Sequence, residues 1–429
     1  MNTDQSGDMD DARPPAFSDD SLAWRYADRH AGDLRFVAKW GQWFRYGGTR
    51  WRQDDTLQAF DLARRICREA SAECNGKESE KAALASAKTV AAVERLARCD
   101  PRIAATTDQW DADHWLLNTP AGVIDLRTGT KRAHLAVDYM TKLTSVGPSG
   151  RCPLFLAFLD RITGSDPELV AYLRRALGYA ITGITREHAL FFGYGTDANG
   201  KSVLLSTVAG ILGDYHKIAP IETFTASNVD RHPTDLAMLR GARLVTATET
   251  EEGRQWAESR IKSLTGGDRV SARFMRQDFF EFLPQFKLFI AGNHRPGLRS
   301  VDEAIRRRFH LIPFAVTIPA EERDSELTEK LKAEWPGILA WIIEGCIEWQ
   351  REGLAAPDAV TAATTEYLES EDSIAAWLGE RCERAPDAWS SSSLLFASWA
   401  DWAKAAGEAT GRRRDSAKSW TLASSTNTG

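Results

Sequence analysis

The sequence predicts an α/β protein whose central sheet is covered by helices on both faces. Four short apolar runs support this fold class, "ALFFGYG", "ARLVTATE", "FKLFIAGN" and "FHLIPF", all between residues 186 and 316. Each run is continuous in apolar character instead of alternating strictly with polar residues, which is typical of strands buried on both faces. Helix-period segments separate the runs, so this region is predicted to form an α/β core.

The composition indicates a soluble, multidomain protein. At 429 residues the chain is long enough for roughly two to four domains. No apolar run approaches the ~18 residues that a membrane span needs, and the acidic N-terminus lacks the apolar region of a signal peptide, so we expect a cytoplasmic protein. The net charge of −6 means that any contact with nucleic acid must use local basic patches. Six cysteines form no C-x-x-C pair, which argues against a zinc site or a disulfide framework.

Shifts in residue pattern divide the chain into five predicted segments. Residues 1–18 are an acidic, disordered tail, and 19–150 form a mainly helical domain with aromatic, turn-rich pieces and a β-hairpin at "LLNTPAGVIDLRTGT". The α/β core with its lead-in helices spans 151–318, and a helical extension covers 319–356. Residues 357–429 form a small helical or winged-helix-like unit, whose basic run at its end either contacts duplex phosphates or is simply solvated.

The stretch "GTDANGKS" lies between the first apolar run and a helix pattern, and it fits G-x-x-x-x-G-K-[ST]. Glycines let backbone N–H groups turn inward around a polyphosphate, and the following helix adds its positive dipole end. Lys201 would contact the β and γ phosphates of ATP, and Ser202 would bind Mg²⁺. A glycine-rich turn with a solvated lysine is the structural alternative. The predicted nucleotide-binding residues are Gly195, Thr196, Asp197, Ala198, Asn199, Gly200, Lys201, Ser202 and Val203.

Polar residues follow two further apolar runs at the point where each run ends. Glu249 directly follows the second run and would supply the carboxylate for Mg²⁺ and the attacking water, although an acidic surface turn is the alternative. Asn293 ends the third run, where its amide would contact the γ-phosphate or the water, although asparagine is also a common turn former.

Three consecutive arginines, Arg306, Arg307 and Arg308, precede the fourth apolar run. A guanidinium group beside a phosphate-binding core suggests an arginine finger, which contributes ~10³–10⁵ in rate in other NTPases. A finger that acts on a neighbouring subunit would require a ring. For one or two of the three arginines, a solvated charge run is the alternative.

With these motifs in this order, the chain resembles the superfamily 3 helicases, and most of all the primase-helicase proteins of phages, plasmids and large DNA viruses. The resemblance implies an AAA+-like P-loop NTPase core, ATP and Mg²⁺ as cofactors, and a homo-hexamer that moves along single-stranded DNA. By position, the phosphate-binding pair, Mg²⁺ carboxylate, sensor and finger candidates of that family fall on Lys201 with Ser202, Glu249, Asn293, and Arg307 with Arg308.

The resemblance also implies a central-channel hairpin at residues 266–284. Cations for phosphates lie there beside groups that can stack on bases, at Arg269, Arg273, Phe274, Met275 and Arg276. Two features depart from many relatives: Thr250 separates Glu249 from the next acid, and the hairpin lysine found in several relatives is not evident, so Arg276 is only a substitute.

Many members of that family carry a primase domain ahead of the helicase. The paired-carboxylate candidate here is "DADH" at residues 111–114, and its flanks resemble the family's ordinary connector, so we expect any primase or polymerase to be a separate protein. The sequence therefore predicts an ATP-dependent helicase of phage, prophage or plasmid replication. An ATP-switched initiator or loader, or a DNA-binding factor without enzymatic activity, is the alternative.

Overall fold

The computed structural model describes residues 13–226, 234–249, 253–274, 278–299, 301–383 and 389–406. The chain divides into two compact units, Met1–Ile124 with Thr130–Leu143 and Asp125–Gly129 with Thr144–Gly429. Within the described ranges, every helix is too short or too polar to cross a membrane. Most of the predicted acidic tail and the whole basic run at 412–414 lie outside those ranges.

The first unit combines helices with two small sheets. Its described helices are α1 (Asp19–His30), α2 (Gln58–Glu73), α3 (Glu78–Leu84) and α4 (Ala87–Ala97). Strands β1 (Leu34–Val37), β2 (Gln42–Tyr46) and β3 (Trp51–Gln53) form an antiparallel sheet. A second sheet contains β4 (Leu116–Thr119), β5 (Gly122–Asp125) and β6 (Thr130–Arg132), which include the predicted hairpin.

The helices of the first unit share a core with one face of the β1–β3 sheet. Tyr26 of α1, Phe36 and Trp43 of the sheet, and Ile66 of α2 belong to one buried cluster. The indole N–H of Trp43 donates to the carboxylate of Glu94 in α4, so the one polar atom of that ring is satisfied inside the core.

The second unit is built on a five-stranded parallel sheet. Its strands are β7 (Leu190–Tyr194), β8 (His216–Ile218), β9 (Leu244–Glu249), β12 (Lys287–Gly292) and β13 (Phe309–Pro313), in the order β13-β7-β12-β9-β8. The four predicted apolar runs form β7, β9, β12 and β13, so the predicted α/β core is confirmed. β8 is an additional edge strand.

Helices and a short hairpin surround this sheet. The described helices are α5 (Pro153–Thr163), α6 (Pro167–Ala180), α7 (Lys201–Leu212), α8 (Thr234–Ala237), α9 (Glu258–Gly266), α10 (Glu303–Arg306), α11 (Leu327–Lys332), α12 (Trp335–Glu352), α13 (Asp358–Ser370), α14 (Ser373–Arg381) and α15 (Ser392–Ala406). Strands β10 (Val270–Ala272) and β11 (Phe280–Phe282) form an antiparallel pair between α9 and β12.

Candidate functional site

The glycine-rich loop, residues 195–200, connects the end of β7 to the start of α7 at the middle of the sheet. Two of its positions have no room for a side chain. A Cβ on Gly195 would lie 2.1 Å from the carbonyl oxygen of Phe314, and one on Gly200, where φ is 84°, would lie 2.5 Å from Cγ2 of Ile162. The loop backbone is therefore packed closely between α5 and the segment that follows β13.

Lys201, the first residue of α7, turns its ammonium group back toward the loop. Its Nζ donates to the carbonyl oxygens of Gly195 at 2.7 Å and Thr196 at 3.0 Å. The residue is only 6% exposed. Burial lowers the pKa of Lys201 to about 8, and the negative charge of Asp197 partly offsets that effect. The ammonium group is thus held by oxygen atoms that the oxygens of an anionic ligand could replace.

Asn293 links the loop to the neighbouring strand. Its side-chain oxygen accepts a hydrogen bond from Lys201 Nζ at 3.2 Å, and its side-chain N–H donates to the carboxylate of Asp197. Two residues predicted from different parts of the chain, Lys201 and Asn293, are therefore in direct contact.

The strand register brings the end of β9 to the same edge of the sheet. Gly292 of β12 pairs with Tyr194 of β7 on one side and with Glu249 of β9 on the other. The backbone of Glu249 is therefore level with Tyr194, the last residue of β7, and β12 lies between these two strands. Its side chain, like residues 250–252, lies outside the part of the chain that the structure describes.

A cleft of about 350 Å³ opens between these elements. Residues 197–203, Thr248 and residues 291–293 line it, so its walls come from the loop, the start of α7 and the ends of β9 and β12. Ser202 is exposed and lines this cleft. The described residues contain no cluster of three or more His, Cys, Asp or Glu side chains that could hold a metal ion unaided.

The segment after β13 holds the loop from outside, and the sequence patterns gave no sign of this role. The side-chain amide of Asn199 donates to the carbonyl oxygen of Phe314 at 3.2 Å, and the backbone N–H of Ile318 donates to that of Ala198 at 2.9 Å. The hydroxyl groups of Thr196 and Thr317 are 2.8 Å apart. No periodicity or motif in "FAVTI" distinguishes these backbone contacts from those of any other strand end.

The arginine run lies at the opposite edge of the sheet from the loop. The carbonyl oxygen of Arg308 accepts a hydrogen bond from the N–H of Leu190, the first residue of β7, whereas the loop follows the last one. Five strand residues span roughly 16 Å. The structure therefore does not bring Arg306, Arg307 or Arg308 together with Lys201 of the same chain.

The three arginines have different surroundings. Arg308 is 6% exposed, and its guanidinium donates to the Thr265 hydroxyl at 3.1 Å and the Ala304 carbonyl at 2.7 Å. Burial lowers the pKa of Arg308. Arg306 donates to the carboxylate of Asp372 at 3.1 Å. Arg307 is exposed. A solvent-facing guanidinium is therefore a property of Arg307, whereas Arg308 holds α9 against α10.

The predicted channel hairpin is an antiparallel pair of strands whose described residues carry aromatic rings beside cations. Ser271 pairs with Glu281, and the guanidinium of Arg273 lies 4.8 Å from the ring centre of Phe279, which is 60% exposed. Arg269 is exposed just before β10. The predicted DNA contact at Arg276 lies outside the described residues.

The carboxylates of "DADH" accept hydrogen bonds from other residues of the first unit. The Asp111 side chain accepts hydrogen bonds from the backbone N–H and the hydroxyl of Thr141, and the Asp113 side chain accepts one from the N–H of Trp115. Each carboxylate therefore has a hydrogen-bond partner within the first unit.

Comparison with known proteins agrees with this architecture. Residues 23–164 match the family described as D5 N terminal like, and residues 193–308 match a family of unknown function, DUF5906. A protein of Acanthamoeba polyphaga mimivirus named as a helicase is 25% identical over 321 residues, which cover 68% of this chain and 33% of that protein. One of Frog virus 3 (isolate Goorha), also named as a helicase, is 26% identical over 271 residues, with 58% and 28% covered.

Solved structures share the fold. An apo structure of the NrS-1 C-terminal region superposes with a TM-score of 0.51 at 13% identity, covering 84% of this chain and 77% of that one. A second apo structure of that region gives 0.52 at 14% identity, with 82% and 76% covered. The sequence matches and the shared fold support a relationship to the primase-helicase family. The chain spans about a third of the length of the curated viral relatives it matches.

Proposed function

We propose that this protein is a member of the primase-helicase family and acts as an ATP-dependent DNA helicase with an AAA+-like P-loop core of superfamily 3 type. One observation carries the proposal: Lys201, Asn293 and Thr248, the residue before Glu249 in β9, line one cleft at the carboxyl edge of a parallel sheet. Ligands of open α/β sheets bind at this edge, where neighbouring strands connect in different directions. The helicase names of the viral relatives give the same class of activity.

The residues present fit a nucleoside triphosphate. The backbone around Gly195 and Gly200 is too crowded for any side chain, and Lys201 would exchange its bonds to the loop carbonyls for bonds to phosphate oxygens. The Ser202 hydroxyl and the Glu249 carboxylate would hold Mg²⁺, which neutralises phosphate charge during transfer. Asn293, already bonded to Lys201, would orient the water molecule or contact the terminal phosphate.

A ring of identical subunits, which we propose to be a hexamer, follows from the position of Arg307. A guanidinium at the amino edge of the sheet cannot contact a ligand at the carboxyl edge of the same sheet, roughly 16 Å away. The exposed side chain of Arg307 could instead contact the cleft of a neighbouring copy. We therefore propose Arg307 as the finger, and we assign Arg308 a structural role because its guanidinium is buried and bonded within its own subunit.

The β10–β11 hairpin supplies the surface for single-stranded DNA. It stands between α9 and β12 and presents Arg269, Arg273 and exposed aromatic rings, a combination suited to phosphates and bases. We propose that phage, prophage or plasmid DNA replication is the setting, with any priming done by a separate primase or polymerase.

Replacement of Lys201 tests the proposal directly. Lys201→Ala should abolish ATP turnover and the rise in melting temperature that Mg²⁺ and ATP give the wild type, while the melting temperature without nucleotide is retained. ATP turnover that survives in this variant would contradict the assigned site. Strand displacement on a forked DNA then separates a helicase from an initiator or loader, which would hydrolyse ATP without separating the strands.

A further inference from the structure

The carboxyl end of α13 contacts two segments that the proposed function assigns to different nucleotide sites. Tyr367 lies in the last turn of α13, and Glu371 and Asp372 are the first two residues after it. We call these three residues the α13 junction. One segment that it contacts follows Asn293, and the other carries Arg307.

Toward the first segment, the junction binds backbone atoms a few residues after Asn293. The Tyr367 hydroxyl donates to the carbonyl oxygen of Pro296 and accepts a hydrogen bond from the indole N–H of Trp256 at 2.9 Å. The Glu371 carboxylate accepts from the N–H of Leu298 at 2.8 Å. Tyr367 and Trp256 are each 1% exposed, so these hydrogen bonds are shielded from water.

The same segment is bound on its other side by the continuation of β9. The N–H of Trp256 donates to the carbonyl oxygen of Gly297 at 2.9 Å, and the N–H of Gly297 donates to that of Arg254 at 2.8 Å. Residues 254–256 follow the strand that ends at Glu249. The segment after Asn293 is therefore fixed between the chain that leaves Glu249 and the α13 junction.

Toward the second segment, the junction holds the helix that carries Arg307. The Asp372 carboxylate accepts a hydrogen bond from the guanidinium of Arg306 at 3.1 Å with one oxygen. With its other oxygen it accepts from the N–H of Ala375 at 3.0 Å and thereby caps α14. Because Glu371 and Asp372 are adjacent in the chain, a displacement of the segment bound to Glu371 is passed by one peptide unit to the residue bound to Arg306.

We propose that the α13 junction couples the nucleotide state of a subunit's own cleft to the position of the Arg307 that the same subunit presents to its neighbour. This inference rests on the proposed function. A ligand that displaces Lys201 or Asp197 from Asn293 changes the hydrogen bonds of the residue at the start of the bound segment. Packed, hydrogen-bonded networks of this kind shift between discrete arrangements, so a small movement at Asn293 can be carried to α10. Tyr367, Glu371 and Asp372 are then positioning residues that need no contact with nucleotide.

One substitution of Asp372 can distinguish its hydrogen bond to Arg306 from its hydrogen bond to the N–H of Ala375. Asparagine caps a helix about as well as aspartate, so Asp372→Asn keeps the cap on α14 and removes the negative charge that holds Arg306. Asp372→Ala removes both. Tyr367→Phe deletes only the hydroxyl that bridges Trp256 and Pro296. Glu369→Gln is the matched control, because Glu369 lies in the last turn of the same helix and its side chain is exposed.

Hydrogen–deuterium exchange, with and without Mg²⁺ and a non-hydrolysable ATP analogue, tests the coupling without relying on turnover. In the wild type and in Glu369→Gln, we expect the analogue to change exchange in three peptides: the glycine-rich loop, residues 293–299 and residues 303–308. In Asp372→Asn and Tyr367→Phe, exchange in the glycine-rich loop should still respond to the analogue, whereas the response of residues 303–308 should be lost. In these variants, we expect kcat for ATP to fall with little change in KM.

Two results would overturn the inference, and they are distinguishable. If the loop responds and the response at 303–308 is the same in Asp372→Asn and Tyr367→Phe as in the wild type, the junction does not couple the sites. If the analogue leaves exchange in the wild-type loop unchanged, the proposed nucleotide site itself is wrong and the coupling falls with it. Melting temperatures identify any variant that has merely unfolded, and Asp372→Asn should melt above Asp372→Ala.

Discussion

The ammonium group of Lys201 and the side-chain oxygen of Asn293 form a hydrogen bond of 3.2 Å across the cleft. The bond joins the first residue of α7 to the end of β12, two elements separated by more than ninety residues in the chain. Asn293 also donates to Asp197, so the cation, the amide and the carboxylate form one network before any ligand is bound. Changes in the charge of Lys201 should therefore affect nucleotide binding and the position of Asn293 together.

Nucleotide affinity is predicted to depend on pH through Lys201. Burial lowers the pKa of its ammonium group from 10.5 to about 8, so the free protein carries a mostly neutral amine at pH 9. A bound triphosphate favours the charged form, and binding at pH 9 must then take up a proton. We expect the Kd for a non-hydrolysable ATP analogue with Mg²⁺ to rise about tenfold from pH 7 to pH 9. Titration calorimetry at several pH values measures it.

Two variants of Lys201 control this prediction. Arginine stays charged over this range, so any binding by Lys201→Arg should not show the rise. Lys201 also links stability to pH. Between about pH 8 and 10.5, this lysine binds more protons in the unfolded chain than in the folded one. The unfolding free energy of the wild type should therefore increase with pH relative to that of Lys201→Met. Equal pH dependence of Kd in the wild type and in Lys201→Arg would exclude Lys201 as the titrating group.

Gly200 is predicted to tolerate no side chain, and Gly253 provides a matched comparison. Both residues have positive φ, 84° and 81°, but a Cβ on Gly200 would collide with Ile162 whereas nothing lies within 4 Å of one on Gly253. Gly253→Ala should cost about 1 kcal/mol of unfolding free energy from backbone strain alone, and Gly200→Ala roughly 2–4 kcal/mol from strain and overpacking. Urea unfolding measures both. Equal losses would mean that the loop relaxes away from α5.

Replacing Arg307 is predicted to lower ATP turnover without loss of stability, whereas replacing Arg308 is predicted to lower stability. Arg307→Ala should lower ATP turnover about 10³-fold with an unchanged melting temperature, because its side chain is exposed and acts on a neighbouring subunit. Arg308→Ala should lower the unfolding free energy by roughly 1–3 kcal/mol, because the Thr265 hydroxyl and the Ala304 carbonyl lose a buried partner. Steady-state ATPase assays and thermal unfolding of both variants distinguish the two roles.

Mixed rings test whether Arg307 acts between subunits. Arg307→Ala and Glu249→Gln subunits are each inactive alone, but a mixture contains interfaces in which an intact arginine faces an intact carboxylate. We expect the mixture to regain part of the turnover. A mixture no more active than its components would require a finger that acts within its own subunit, which the distance across the sheet opposes.

The strands of the central sheet and the glycine-rich loop were predictable because each has a local sequence pattern: an apolar run for a buried strand, and a motif for the loop. A strand covered on both faces is mainly apolar along its length, and the buried residues Leu190, Phe191 and Phe192 of β7 show this pattern. The edge strand β8 has only three residues, and both Lys217 and Ile218 are exposed, so it leaves no such pattern. The β1–β3 sheet was not predicted because its strands have only three to five residues and lie next to glycine-containing turns.

Contacts between distant segments could not be predicted. The burial of Arg308 depends on Thr265 of α9, and nothing in "RRR" indicates which of the three arginines α9 will cover. The same holds for Tyr367 and Trp256, which meet across 111 residues of sequence. The spacing of hydrophobic residues indicates which face of a helix or strand is buried, but it does not indicate which polar group of another segment will contact that face.

The hairpin is predicted to bind single-stranded DNA through Arg273. Its guanidinium lies over the ring of Phe279, which holds the cation beside an exposed aromatic face. Arg273→Ala should weaken binding to an oligonucleotide and reduce the slope of log K against log salt by ~0.7, the contribution of one phosphate contact on a single strand. Fluorescence anisotropy over a salt series measures both quantities. Arg65→Ala is the control for net charge, because Arg65 is exposed and pairs with Asp61 in α2 of the other unit. If the two variants have equal slopes, Arg273 does not contact DNA phosphate and the hairpin lies outside the DNA path.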